Sequence, residues 1–475
     1  MDFTPTVEQR AARELAGEIF GDLSTHERLS ALGTAMDAEL WKALCAAGLP
    51  AAVEEIGLVG LVLLLEEQGR TTAQVPLAAT CAYGVLPVAV HGTAEQRDRL
   101  LPALRDGTAV ATGAFGSRVA TARRTADGWR LSGIFPAVPW LRAATHVLVP
   151  AQLAEAGPGQ VAGAGPGQVA GAGPGEVAEA GPGQVAGAGL GQVAGAGPGE
   201  VAEAGPGQVA EAGPGQVAGV GPEVGAGRAA QAGPRAEPRC FLAEVRAAGI
   251  EAVETTAPWA AGRLTLDAVP AEPLGGEGTH ADVLGQARTA FAGLQAGVCG
   301  GSLERVVRHT SVREQFGRPL STHQGVLMRA ADAHMDTEAI RVTAYEAAWR
   351  YDQGLPAAIH ALTTAWWACE AGKRVVHSGQ HLHGGIGADV QHPVHRHFLW
   401  GRQLDAYLGP APGLLAELGD ALTVDALTAD ELTADERTAD ELPGAALSAG
   451  EPGELLGDAP LGAALSAGEL PEVAG

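Results

Sequence analysis

From Leu153 to Val224 the chain repeats about every eight residues around Ala-Gly-Pro-Gly-Gln-Val-Ala, and this stretch limits the fold more than any other feature. A proline returns in nearly every cycle with glycine on either side. Proline removes a backbone donor and glycine maximises the entropy lost on ordering, so neither a helix nor a central strand is expected there. The stretch reads as a flexible insert at about 153–232. A second repeat, from Leu422 onward, cycles through Leu-Thr-Ala-Asp-Glu in fives. A five-residue period turns successive leucines about 140° around a helix, so Leu427, Leu432 and Leu442 form no continuous stripe and no coiled coil is expected. The folded body must come from the roughly 350 residues that remain, enough for one large core or two or three smaller ones.

Charge follows the same partition. The repeat from Leu153 to Val224 carries seven acids and no lysine or arginine, and the tail from Ala421 carries twelve acids against Arg437. Most of the formal net charge of −24 therefore belongs to the repeats and says little about a substrate or partner. No basic stripe with interleaved aromatics appears, so nucleic-acid binding is not expected. The five cysteines, Cys45, Cys81, Cys240, Cys299 and Cys369, are odd in number, far apart and free of any Cys-x-x-Cys. That pattern fits a reducing compartment and argues against a disulfide scaffold or zinc site. Met1-Asp2-Phe3-Thr4-Pro5 has no basic region ahead of an apolar run, and the longest apolar run, Ile56 to Leu65, is too short to span a bilayer. A cytoplasmic protein without a membrane segment is expected.

Hydrophobic periodicity divides the remainder into three zones. Residues 1–113 are helical in pattern. Thr6 and Gln9 form a capping-box signature, and Ala12, Leu15, Ala16, Ile19 and Phe20 share one face. Trp41–Gly48, Leu61–Gly69 and Thr93–Gly107 repeat the style, each closing on a glycine. Residues 114–275 read as short strands, among them Trp129–Ser132, His146–Pro150, Cys240–Ala243 and Arg263–Leu266, with the insert extending one loop. Residues 276–420 return to long helical patterns, Asp282–Phe316, Ser321–Gln353 and Pro356–His383, broken by Gly317-Arg318-Pro319 and Gly354-Leu355-Pro356. Residues 421–475 are expected to be a disordered acidic tail.

Three motifs in the last zone carry chemistry. The first is Arg313-Glu314-Gln315-Phe316-Gly317-Arg318-Pro319, followed by Gln324; the second is His381-Leu382-His383-Gly384-Gly385-Ile386-Gly387. The third runs His392-Pro393-Val394-His395-Arg396 to Ala406-Tyr407-Leu408-Gly409. In this order, and with Glu66-Glu67-Gln68-Gly69-Arg70, Val75-Pro76 and Gly92–Arg97 in the first zone, the chain resembles the acyl-CoA dehydrogenases over about residues 1–420 apart from the insert. The resemblance implies an α+β fold, with an N-terminal helical domain, a small middle β-barrel and a C-terminal four-helix bundle. It also implies FAD as cofactor and an acyl-CoA substrate.

By that resemblance Arg313, Phe316 and Gln324 reach a neighbouring subunit's FAD, where a guanidinium forks onto pyrophosphate oxygens. His381, Gly384 and Gly385 form a turn that lets backbone approach the diphosphate, which a side chain would block. A local reading of Gln324 stands beside this one, since Ser321-x-x-Gln324 is also a capping-box signature. Six histidines crowd between His377 and His397, but no carboxylate or cysteine set joins them in sequence and no metal is expected. The Gly-Ala-Gly-Pro-Gly units of the insert neither follow a strand nor open a helix, so they do not read as a phosphate loop.

The chain departs from the family at the residue its chemistry most needs. The family base is a Glu where this chain has Leu408, and its alternative location falls near Ala287, which is equally inert. Asp405, one turn earlier, is a weak substitute. Around the expected flavin ring the chain has Ala114-Phe115-Gly116-Ser117-Arg118 and Phe135-Pro136-Ala137-Val138-Pro139 in place of the family's usual stretches. The resemblance therefore implies the base-lacking subunit of an α2β2 acyl-CoA dehydrogenase of lipid or steroid catabolism, with electron-transfer flavoprotein as the usual acceptor. Alternatives are a self-sufficient dehydrogenase with a displaced base, a flavin monooxygenase or oxidase on the same fold, and a non-catalytic acyl-binding or scaffold protein.

Overall fold

Thr6 and Gln9 open the first helix by exchanging bonds. The Gln9 N–H donates to Thr6 Oγ1 at 3.2 Å and the Thr6 N–H donates to Gln9 Oε1 at 2.9 Å. This computed structural model describes residues 3–116, 118–154 and 237–423. The octapeptide insert and nearly all of the acidic tail, with the expectations attached to them, lie outside the described residues. Helix α1 (Val7–Leu23) buries Ala16 and Phe20, whereas Leu15 is exposed, so its apolar face is narrower than the sequence pattern implies. Helices α2 (His26–Ala31) and α3 (Ala38–Ala46) lead to α4 (Leu49–Thr71).

The expected stop at Gly69 is overturned: α4 runs through it to Thr71. Gly69 is instead a point of close approach, where a Cβ would lie 2.3 Å from the Leu294 carbonyl oxygen. Helix α4 kinks at Gly57, with φ +71°, and restarts where the Asp352 carboxylate accepts from the Leu58 and Val59 N–H groups at 2.7 and 3.0 Å. Burial of that carboxylate, only partly offset by the two amides, raises its pKa above the usual range. A short helix α5 (Leu77–Thr80), a π-helical turn (Cys81–Val85) and α6 (Leu86–His91) follow, then α7 (Ala94–Arg105), opened by a second capping box at Thr93 and Gln96. No single described helix is long and apolar enough to cross a membrane; α3 and α4 reach that hydropathy only as a pair bent by 74°.

The strands are β1 (Ala111–Gly113), β2 (Ala120–Thr125), β3 (Gly128–Val138), β4 (His146–Leu153), β5 (Arg239–Glu244), β6 (Gly249–Ala252) and β7 (Gly262–Leu274). Strands β4, β2, β3, β7 and β5 neighbour one another in that order, and β5 pairs back onto β4, which closes a small barrel around Leu131, Phe135, Val147, Val149, Phe241 and Leu264. The insert joins β4 to β5, antiparallel neighbours whose register reaches Ala151 opposite Arg239. The chain thus leaves and re-enters the barrel at adjacent points, and a long connection there adds only a logarithmic closure cost. Replacing residues 155–236 by a four-residue turn is expected to leave a folded protein with its melting temperature unchanged or raised, by at most about 3 kcal/mol of stability. Calorimetry with size-exclusion chromatography checks this, and an aggregated product would show that the insert does more than connect.

The third zone comprises α8 (Thr279–Val312), α9 (Gln324–Asp352), α10 (Ala358–Leu382) and α11 (Pro393–Leu408), packed as a bundle in which α8 also lies along α4. Helix α8 ends before the expected Phe316. The next residues fold into a two-stranded hairpin, β8 (Glu314–Gln315) and β9 (Arg318–Pro319), with Phe316 and Gly317 at φ +54° and +77°. Both central residues of such a two-residue turn need positive φ, which a bulky side chain adopts only under strain. The capping-box reading of Ser321 and Gln324 also fails. Residues 320–322 form a 3-10 turn, α9 begins at Gln324, and His323 is its cap without a side-chain bond. The break at Gly354 is as expected, with φ +64°.

Candidate functional site

The expected cofactor-binding residues are exposed, at the end of α8, the start of α9 and the end of α10. Arg313 is the C-cap of α8 and is exposed; its guanidinium makes no ion pair among the described residues. Phe316, at the hairpin tip, is 90% exposed and meets the ring of His323 edge to face, ring centroids 5.9 Å apart. Gln324 opens α9 with an exposed side chain. Gly384 has φ +64°, and at Gly384 and Gly385 a Cβ would meet no atom within 4 Å. Whatever needs these glycines bare must therefore approach from outside the chain. The tight position in this turn is Gly387, where a Cβ would lie 2.3 Å from the Gln380 carbonyl. His381 is exposed on the rim of an open groove of about 600 Å³ with Arg329, His377 and Ser378, beside an Arg374 guanidinium held by Asp336 at 2.9 and 2.6 Å.

The histidine cluster is a packing feature. His383 is buried, its Nδ1 lies 2.8 Å from the Gly379 carbonyl, and its ring stacks on His309 at 4.7 Å. Desolvation lowers the pKa of His309, His383 and His392. Among the described residues no group of three or more His, Cys, Asp or Glu converges on one point.

Towards the other end of α8 lie two adjoining cavities, both bordered by Phe115 and Tyr407. The first, of about 360 Å³, is lined by Tyr83 from the π-helical turn, by Leu284, Ala287, Arg288 and Phe291 of α8, and by Tyr407 of α11. Tyr83 Oη and Tyr407 Oη are 2.5 Å apart, and burial pushes both phenols above their usual range. The one carboxylate at its wall, Glu417, is bound to the Arg288 guanidinium at 2.7 Å. Ala287, the alternative position for the base, faces this cavity and is an alanine. Leu408 ends α11 immediately after Tyr407.

Asp405 is paired with Arg402 at 3.3 Å, lies against Cys369 of α10 and lines neither cavity. Two residues apart on a helix are about 200° apart, so with Tyr407 turned to the cavities Asp405 faces away.

The second cavity, of about 310 Å³, lies where the barrel meets α11 and is bordered by Phe135, Pro136, Pro139, Trp259 and Gln403. Pro136 and Pro139 have no N–H, which strips this wall of two backbone donors. Gln403 accepts from the Ala257 N–H at 3.4 Å, and its amide N–H groups, Arg118, Thr255 and the buried Nε1–H of Trp259, which has no partner among the described residues, are donors on this wall. The outer face, with an exposed guanidinium that makes no ion pair among the described residues and two open glycines, has the chemistry to hold a diphosphate.

Sequence reasoning missed Tyr83, Arg288 and Phe291, whereas Phe115 lies in the 114–118 stretch that it placed around the cofactor ring. Tyr83 and Phe115 stack at 5.0 Å, and Phe291 meets Tyr407 edge to face at 4.7 Å. Phe291 follows Ala287 by one helical turn, so that spacing was available once α8 was placed. Tyr83 has no local signal.

Comparison with known proteins gives two family models. The acyl-CoA dehydrogenase N-terminal domain matches residues 6–108, and the acyl-CoA dehydrogenase C-terminal domain matches residues 276–420. The chain is 41% identical over 143 residues to the acyl-CoA dehydrogenase FadE27 of Mycobacterium tuberculosis, a match spanning 28% of this chain and 38% of that protein. Among solved structures it is similar to a variant of the Tcur3481–Tcur3483 steroid ACAD, at 35% identity and TM-score 0.69, covering 88% of this chain and 99% of that one. The ChsE4–ChsE5 complex from Mycobacterium tuberculosis shares the fold, at 24% identity and TM-score 0.68, covering 89% of this chain and 99% of that one.

Proposed function

Because the chain belongs to the acyl-CoA dehydrogenase family, we propose that it is the base-lacking subunit of a cytoplasmic α2β2 enzyme, one that completes the FAD site of a catalytic partner. The reaction is the α,β-desaturation of an acyl-CoA thioester. The observation that carries this reading is the first cavity, which holds two protonated phenols and, among the described residues, no carboxylate free of a counter-ion. A thioester α-proton is a weak acid, and losing a positioned base costs about 10²–10⁴-fold in rate. Leu408 and Ala287 leave this chain without that base, so desaturation falls to the partner.

The bound FAD would supply the acceptor for the hydride leaving the acyl β-carbon. This chain's part is to hold it. Arg313 donates to the diphosphate, Gly384 and Gly385 leave their backbone bare toward it, and Gln324 and His381 flank the approach. Phe316, held out at the hairpin tip, presses into the partner. The heteromeric relatives, a Tcur3481–Tcur3483 steroid ACAD and the ChsE4–ChsE5 complex, support a two-chain assembly and a steroid or lipid acyl group. Electron-transfer flavoprotein is the proposed oxidant of the reduced cofactor.

The test is the FAD-to-chain ratio, by visible absorbance and mass, for the chain purified alone and after co-expression with a catalytic acyl-CoA dehydrogenase subunit. No flavin alone and one FAD per pair of unlike chains is expected. One FAD per chain in the lone protein, with acyl-CoA oxidation, would overturn the reading.

A further inference from the structure

Three histidine rings meet where the ends of three bundle helices converge. His309, in the last turn of α8, stacks on His383 at 4.7 Å, and His383 lies 5.1 Å from His392. His383 is the C-cap of α10 and His392 the N-cap of α11. Their hydrogen bonds assign the protons. His383 Nδ1, 2.8 Å from the Gly379 carbonyl, donates to it. His392 Nδ1 accepts from the Val394 N–H at 3.3 Å and therefore carries no proton. A ring nitrogen accepts only while it is unprotonated, so charging His392 at this atom ends the cap and sets a cation at a helix N-terminus, where the dipole opposes it. The charged groups that reach the three rings give little relief. Arg305 and Arg313 belong to α8 and His26 to α2. Asp389 is the one acid that reaches them among the described residues, and its Oδ1 already accepts from the Gln391 N–H at 2.9 Å. Glu304, beside Arg305, is bound to Arg308 at 2.8 Å.

We propose that this stack is a pH-sensitive latch: neutral, it ties the ends of α8 and α10 to the start of α11, and protonated, it releases His392 and the turn from Gly384 to Gln391. Desolvation, and after it the neighbouring cations, lower the pKa of all three rings. A histidine whose folded pKa lies below its unfolded value adds stability that is complete above the unfolded value, about 6.5, and is lost as pH falls from there through the folded pKa. The latch therefore opens on the acid side of about pH 6.5. His397, on the next turn of α11, does not take part. It is held between the Pro393 and Arg70 carbonyls, and burial lowers its pKa to about 4. The latch is a property of this chain alone. Where the chain completes a partner's FAD site, release of the turn also withdraws Gly384 and Gly385 from the diphosphate, and only that consequence rests on the subunit reading.

Hydrogen exchange of the full-length chain tests this without flavin, so its outcome is separate from that of the subunit reading. Exchange is read by mass spectrometry at about pH 7.5 and about pH 5.5 and corrected for the intrinsic pH dependence of amide exchange. Peptides covering residues 383–400 are expected to open about fivefold more readily at the lower pH, the loss of one helix cap, while those of β3, which carries no histidine, stay unchanged. His392→Asn keeps a capping side chain that does not titrate, and is expected to hold residues 383–400 at nearly the same protection at both pH values. His309→Phe keeps a ring against His383 without a second charge, and is expected to remove part of the change. Equal corrected rates at the two pH values in the wild type, or a pH effect that His392→Asn retains in full, would overturn the latch. If His392→Asn does not fold, the wild-type comparison of residues 383–400 with β3 decides alone.

Discussion

Arg313→Ala in the two-chain complex is expected to weaken FAD binding about 10- to 100-fold while leaving the melting temperature of the apo chain nearly unchanged. A charge-assisted hydrogen bond contributes roughly 1.5–3 kcal/mol, and each 1.4 kcal/mol is about tenfold in affinity. The separation of the two readouts follows from the position of the side chain. Arg313 is exposed, forms no ion pair among the described residues, and supports the chain's own fold only through the C-terminal dipole of α8, worth a few tenths of a kcal/mol at an exposed site. A purely structural arginine would show the opposite pattern, lost stability with unchanged FAD affinity. Arg313→Lys is expected to recover part of the loss, since an ammonium keeps the charge but not the two-pronged geometry. Flavin titration of the apo complex measures all three. Equal affinity for wild type and Arg313→Ala would remove this residue from the site.

The neighbouring hairpin explains why such a contact is plausible from an exposed arginine. Phe316 is held at φ +54° and 90% exposed, two conditions that are each unfavourable for a large aromatic in water. Strain of this kind persists where the surrounding structure imposes it and a function uses it. Here the turn directs Phe316 away from the chain beside Arg313, and a partner surface would relieve the exposure.

What was legible in the sequence was local. The capping boxes at Thr6 and Thr93 each involve residues three apart, so the pattern and the bond are the same object. The strands announced themselves by composition. That Leu408 follows Tyr407 where the family motif has a Glu is likewise a reading of adjacent residues. What stayed hidden depends on partners distant in sequence. Nothing near Leu58 indicates that Asp352 will cap the helix restarting there, and nothing near Tyr83 indicates that its hydroxyl will meet Tyr407. Gly317-Arg318-Pro319 reads as a helix stop, and only the three-dimensional path makes it one side of a hairpin. Gly69 illustrates the general difficulty: a glycine at a helix end and a glycine at a helix crossing look alike until the second helix is in place.

That crossing yields the other large effect. Gly297→Ala is expected to lower stability by about 3 kcal/mol or more, and Gly300→Ala, three residues further along the same helix, to raise it by about 0.5–1 kcal/mol. Two terms of opposite sign compete at both sites. Replacing a helical glycine by alanine reduces the entropy lost on folding, which favours the variant by up to about 1 kcal/mol. At Gly300 nothing opposes that gain, because the nearest atom to a new Cβ is the end of the Arg341 side chain at 3.8 Å. At Gly297 a Cβ would lie 2.1 Å from the Glu66 carbonyl oxygen of α4. The neighbours along the seam repeat the contact, Gly301 at 2.3 Å from the Arg70 carbonyl and Gly69 at 2.3 Å from that of Leu294. Backbone cannot turn aside as a side chain can, so α4 and α8 must separate, and overpacking at a rigid contact falls at the top of its usual range. Chemical denaturation of the two variants decides between the terms, and a higher midpoint for Gly297→Ala would show that the helices do not pack this closely.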